Sequence, residues 1–151
     1  MPQSLSAVYI HLVFSTKERF PFLRDSEMRQ ATCAYLSGIS KNLDCPTITV
    51  GGMPDHVHIL ARFSRTISQA DWVKELKRVS NVWLKGQGIP FSKFEWQAGY
   101  ADFSVSQSNL HRVRKYINEQ EAHHCKFGFE DDLRTLLRRH QIDFDERYLW
   151  D

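Results

Sequence analysis

The stretch PTITVGGMPDHVHILARF, residues 46–63, decides how the chain is put together. Two short runs rich in β-branched residues flank GGMPD, whose Gly, Pro and Asp are turn formers, so the segment is expected to be a β-hairpin. Its second arm carries two histidines separated by one valine. Side chains alternate faces along a strand, so His56 and His58 share one surface while Val57 and Ile59 point to the other. Twin imidazoles on one face suit a metal site, a proton-transfer site, or the polar side of a half-exposed strand. The pair alone leaves all three open.

Outward from the hairpin, SAVYIHLVFST is β-branched and aromatic and ends in a polar cluster, as a first strand does. In RDSEMRQATCAYLSGISKNL, Asp25 or Ser26 can cap a helix, and Met28, Ala31, Tyr35, Leu36, Ile39 and Leu43 recur at near-helical spacing. SRTISQADWVKELKRVSNVWLKGQG begins on a Ser cap, places Trp72, Leu76, Val79 and Trp83 on one face, and stops at Gly86. FEWQAGYADFSVS predicts a fourth strand. SNLHRVRKYINEQEAHH predicts a third helix, capped by Ser or Asn, with Leu110, Val113 and Ile117 at three- and four-residue spacing. A further helix is expected around Glu130 to His140, followed by an aromatic tail. The order β-α-β-β-α-β-α predicts an α+β, ferredoxin-like split βαβ fold: a four-stranded antiparallel sheet, two helices on one face, and an additional helix bearing Tyr116. In that topology the histidine strand lies centrally. With Val57 and Ile59 toward the two core helices, the histidines face the other way, where the third helix can lie across them.

At 151 residues and 42% hydrophobic, the chain is expected to form one domain, 1–151, burying roughly 68–70% of its extended surface. A net charge of +2 is too small for general attraction to nucleic acid, so any such attraction must come from local clusters. Cys33, Cys45 and Cys125 are odd in number and lack CxxC spacing, against a disulfide framework or a cysteine zinc site and in keeping with a reducing cytoplasm. The N-terminal apolar run has no basic segment before it and is too short to cross a bilayer, so neither signal peptide nor membrane span is expected.

On the third helix Tyr116 and Gln120 are four residues apart and share a face. Two imidazole nitrogens with a carboxamide oxygen would make a three-ligand set with open positions for a divalent cation. Glu119, His123 and His124 are rivals to Gln120 for the third place. A phenol, with a pKa near ~10, attacks poorly at neutral pH unless its target is polarised, which a cation on a phosphate achieves. Asp55, just before the histidines, can orient one of them or serve the turn.

Taken together, DHVHIL, WQAGYADFSVS, VRKYINEQ and the closing FEDDLRTLLRRHQIDFDERYLW resemble the HUH single-tyrosine transposases of the insertion-sequence-200-like group, in that family's order and over nearly the whole chain. The HxH plus YxxxQ combination is specific where either alone is weak. The resemblance implies a homodimeric enzyme, dependent on Mg²⁺ or Mn²⁺, that cuts and rejoins single-stranded DNA at element ends marked by hairpins. It implies His56, His58 and Gln120 as metal ligands and Tyr116 as the nucleophile that becomes joined to a 5′-phosphate. It also implies sites built from the histidines of one subunit and the tyrosine helix of the other, so that Tyr116 is a candidate for action in trans. A branch associated with repetitive extragenic palindromes differs after the tyrosine, and Gln120 favours the insertion-sequence type.

Lys74, Lys77, Arg78 and Lys85, expected away from the apolar stripe of the second helix, and Arg112, Arg114 and Lys115 around the tyrosine, are candidate phosphate contacts. Two other functions fit the same residues: a DNA-hairpin-binding protein without catalysis, and a zinc hydrolase using His56, His58 and a carboxylate.

Overall fold

The histidine strand is buried on both sides because elements cover both faces of the sheet that contains it. In the computed structural model, which describes residues 2–120 and 128–150, four antiparallel strands run in the order β2-β3-β1-β4. They are β1 (Tyr9–Ser15), β2 (Thr47–Gly52), β3 (His56–Arg62) and β4 (Ala101–Val105). This is the split βαβ order, and β3 is an inner strand as expected. The expected residues His123, His124 and Cys125 lie outside the described residues.

Helices α1 (Ser26–Asn42) and α2 (Gln69–Lys85) cover one face. Each begins at a side-chain cap: the Asp25 carboxylate accepts from the Met28 amide at 3.0 Å, and the Ser68 hydroxyl from the Asp71 amide at 3.0 Å. These caps satisfy amide groups that have no partner within the helix. Leu36 and Ile39 of α1 and Trp72, Val73, Leu76 and Leu84 of α2 bury against Ile10, Leu12, Phe14, Val57, Ile59 and Ala61 of the sheet. Val57 and Ile59 therefore face the main core.

The opposite face carries His11, Val13, His56 and His58, because Val13 pairs with His58 and Ser15 with His56. Two helices close over it: α3 (Leu110–Asn118) and α4 (Phe129–Arg139). A second apolar cluster of Val13, Phe103, Phe129, Leu133, Leu136 and Leu137 seats α4. A last short helix, α5 (Glu146–Leu149), follows. Its Glu146 holds Arg134 of α4 at 2.7 Å, and the Arg134 guanidinium sits over Trp150 at 5.0 Å. The aromatic tail thus braces the helix before it.

The regular run of the third helix closes within the segment expected for it. Regular α3 ends at Asn118, whose side chain is held to β2 by the Thr49 hydroxyl at 2.6 Å, and Glu119 forms its C-cap. Glu119 is a turn residue and Gln120 is helical again, so one residue interrupts the helical run between Tyr116 and Gln120.

Gly51 sets how closely α3 approaches. It pairs directly with His58 across β2 and β3. A Cβ there would lie 2.6 Å from Ile117 Cγ2 and 3.0 Å from the Ile117 carbonyl oxygen. The missing side chain lets the backbone next to Tyr116 settle beside the histidine strand. Gly51→Ala should lower the urea midpoint, by about 1–3 kcal/mol in stability as for other overpacked sites. Gly38→Ala, in α1 where an added methyl group would meet nothing within 4 Å, should raise stability by up to about 1 kcal/mol. Equal effects at the two glycines would contradict this reason for the close α3 contact.

Candidate functional site

His56 and His58 are each 1% exposed, and each has its Nδ1 tied to a neighbour. Nδ1 of His56 lies 2.7 Å from Asp55 Oδ1, and Nδ1 of His58 lies 2.8 Å from Nε2 of His11. The first contact is the orienting carboxylate anticipated from sequence. The second was not anticipated. His11 pairs with Leu60 across β1 and β3 and so sits diagonally to His58 on the same face, within reach of its ring. With both Nδ1 atoms so engaged, Nε2 is the nitrogen of each ring directed to the space between strand and helices. Among the described residues, His58 Nε2 and the Tyr116 hydroxyl are buried with no hydrogen-bond partner of standard geometry.

Tyr116 enters that space from α3, its ring 5.8 Å from His58 and 6.2 Å from His11, centroid to centroid. Within a single chain, then, the phenol and the imidazoles stand side by side. Burial, and next the carboxyl of Asp132, push the phenol well above its ordinary pKa, against a smaller opposing pull from Gln120. Gln120, 6% exposed, is therefore near the tyrosine, and it also lines a cavity of about 230 Å³ with Arg29, Gly51 and Ile117.

Asp132 is the residue that sequence inspection missed. One ligand atom each from His56, His58 and Asp132 lie within 4.8 Å of one another. Asp132 comes from α4, on the side where Phe129 stacks on His56 at 4.5 Å and Leu133, Leu136 and Leu137 enter the apolar cluster. A carboxylate at helical spacing within an apolar stripe was the available signal. The trio can hold a divalent cation, since it offers two neutral nitrogens and a carboxylate oxygen converging on one space.

The candidate phosphate contacts divide by location. Arg112, with Arg139 and His140 of the α4 end, lines a cavity of about 340 Å³ that reaches His11 and Tyr116. Arg114 and Lys115 line a separate groove with His111. Lys74, Lys77, Arg78 and Lys85 all lie on α2, across the sheet from the histidines. Lys74 and Lys85 are exposed, and Arg78 is paired with Glu75 at 2.7 Å. Lys77 departs from its expected position on the solvent side: its ammonium donates to the Gln97 carbonyl at 2.8 Å and sits over the Phe14 ring, and burial lowers its pKa to about 8. A long aliphatic stem lets a lysine lie against the core while its head finds carbonyls.

Comparison with known proteins gives one consistent result. The profile of the family described as "Transposase IS200 like" matches residues 4–120. The ISDra2 transposase TnpA of Deinococcus radiodurans is 29% identical over 120 residues, spanning 73% of this chain and 81% of that protein. A crystal structure assigned as a transposase from Deinococcus radiodurans R1 aligns with a TM-score of 0.58 at 25% identity, covering 78% of this chain and 93% of that one. A REP-associated tyrosine transposase bound to a REP hairpin aligns with a TM-score of 0.60 over 81% of this chain and 71% of that one; at 10% identity the likeness is one of fold. No helix among the described residues is long and apolar enough to cross a membrane.

Burial and the neighbouring His140 lower the His11 pKa to about 3, and burial, with His11 and His56 nearby, holds His58 well below its ordinary value. Both histidines are thus neutral when folded and titrate near ~6.5 when unfolded. As pH falls from about 6.5 toward 3 the unfolded chain binds more protons, so their contribution to stability is full above that window and is lost on acidification, at up to about 1.4 kcal/mol per pH unit for each group. Urea unfolding in chelator should therefore show lower stability at pH 5 than at pH 7.5, with a smaller difference in His11→Gln. An equal difference in the variant would contradict the neutral assignment.

Proposed function

Because the chain belongs to the IS200-like transposase family, we propose that it nicks and rejoins single-stranded DNA at hairpin-marked element ends through a 5′-phosphotyrosine. The observation that carries this proposal is the buried Tyr116 hydroxyl beside the twin imidazoles of the same chain. In the cleavage step the Tyr116 oxygen attacks the scissile phosphorus. The phenolic O–H bond breaks and its proton leaves to water, the O–P bond to tyrosine forms, the P–O3′ bond breaks, and the departing oxygen takes up a proton from water to end as a free 3′-OH. Rejoining is the reverse displacement by a 3′-OH on the phosphotyrosine.

Each residue has a part in this scheme. His56 and His58 would hold a divalent cation, Mg²⁺ or Mn²⁺, through Nε2, with Gln120 as an oxygen donor from just beyond α3. A cation so bound polarises a phosphate oxygen and offsets charge developing in the displacement. Asp55 and His11 fix the imidazole orientations. The burial that raises the phenol's pKa keeps Tyr116 protonated at rest, so attack awaits an activated phosphate. Arg112 and Arg139 line the approach to Tyr116 and are placed to contact the DNA backbone there, with Arg114 and Lys115 further along the same helix. The α2 residues Lys74, Lys77, Arg78 and Lys85 are remote from the tyrosine and would serve only DNA wrapping the far face. The neighbour bound to a REP hairpin makes hairpin DNA the natural partner to test, and a cytoplasmic location goes with this reading.

Single-stranded oligonucleotides carrying imperfect hairpins should give a covalent adduct with the protein in Mg²⁺ or Mn²⁺. The adduct should disappear in EDTA and in Tyr116→Phe. An unchanged adduct in that variant would overturn the nucleophile assignment. The cluster of two histidines and a carboxylate is also the donor set of a zinc hydrolase, and that alternative predicts stoichiometric zinc and activity that survives Tyr116→Phe. For the homodimer that the resemblance implies, mixing Tyr116→Phe with His58→Ala subunits separates the two arrangements. The one-chain geometry predicts that the mixture stays inactive; restored cleavage would mean that the tyrosine serves its partner's histidines.

A further inference from the structure

We propose that Asp132 is an oxygen ligand of the cation held at His56 and His58, contributed by α4 of the same chain; the proposal rests on the metal-dependent function above. The family profile ends at residue 120, so Asp132 lies outside the segment by which the family is recognised.

The geometry places an Asp132 carboxylate oxygen and one nitrogen of each histidine within 4.8 Å of one another. His58 Nε2 is buried and has no hydrogen-bond partner among the described residues. A buried polar atom left this way carries an energetic penalty that a ligand would remove. The carboxylate is also firmly positioned. One turn before it Phe129 stacks on His56 at 4.5 Å, and the residue after it, Leu133, enters the apolar cluster over the sheet. The first turn of α4 is tied to the start of the chain by Glu130 and Arg19 at 3.1 Å.

The chemistry of the donors points the same way. Two imidazoles and the Gln120 carboxamide are all neutral, whereas Mg²⁺ and Mn²⁺ are hard cations that favour charged oxygen donors. Asp132 supplies the anionic oxygen that the neutral set lacks. Gln120 and Asp132 both act on the tyrosine hydroxyl, one from just beyond α3 and the other from α4, so the carboxamide and the carboxylate approach the same space from two sides. A carboxylate serving only as a partner for the Tyr116 hydroxyl is the alternative, and it makes a different prediction about the metal.

Mn²⁺ binding to the purified full-length protein, followed by the electron paramagnetic resonance signal of the free ion, separates these cases without DNA. His58→Ala should abolish binding. Asp132→Asn should weaken it by about tenfold or more, as loss of a partner at a metal site does, and Asp132→Ser should do the same if the amide variant proves poorly folded. Asp131→Asn, at an exposed carboxylate paired with Arg134 at 3.2 Å, should bind as the wild type does. Loss in His58→Ala with wild-type affinity in folded Asp132→Asn and Asp132→Ser would overturn the Asp132 assignment alone. Mn²⁺ binding that is absent in the wild type, or indifferent to His58→Ala, would bring down the metal-dependent function itself and this inference with it.

Discussion

Fixing one nitrogen of each imidazole turns a strand face into a site. A histidine can present either nitrogen to a ligand, and which it presents depends on the partner of the other. At His56 that partner is a carboxylate at 2.7 Å, and at His58 it is the Nε2 of a second buried histidine at 2.8 Å. For His58 Nε2 to accept a cation, its Nδ1 must carry the proton and donate to His11, which must therefore be neutral with its own proton on Nδ1. The dry surroundings of His11, which disfavour its charged form, support that arrangement. Burial and function meet here: the same exclusion of water that makes a charged His11 costly keeps the ring an acceptor.

Everything else in the structure serves to close this face without crowding it. The sheet gives Val57 and Ile59 to the main core and the histidines to the other side. Gly51, across from His58, admits α3. The packing of α4 on Val13 and Phe103 then covers the strand and delivers Asp132. Two helices from different parts of the chain thus bring a phenol and a carboxylate to imidazoles fixed by the sheet. The basic residues of α2 have no share in this, because the sheet stands between them and Tyr116.

Much of this architecture could be read from the sequence, and the reasons differ by element. The strands and the two core helices announced themselves because period-two and period-3.6 apolar patterns report one-sided burial directly. The pairing of Asp55 with His56 was legible because the residues are adjacent. His11 was not, since a diagonal contact across two strands depends on register, which local patterns do not fix. Asp132 was hidden for a similar reason: its helix was expected, but which sheet face that helix would cover was not. Lys77 was misplaced because spacing assigns a residue to a helix face without saying how far a long stem bends back toward the core. Asn118, the last residue of regular α3, meets Thr49 on β2, a contact that helical periodicity does not contain.

The protonation state of the histidine pair can be read directly. Long-range ¹⁵N–¹H correlation spectra of the imidazoles at neutral pH, in protein freed of metal, distinguish Nδ1–H from Nε2–H. Nδ1–H is expected in His56, His58 and His11, with the Nε2 resonances of His56 and His58 alone perturbed when Mg²⁺ is added. A spectrum with the proton of His58 on Nε2, unmoved by Mg²⁺, would show that the imidazoles are not held for a cation.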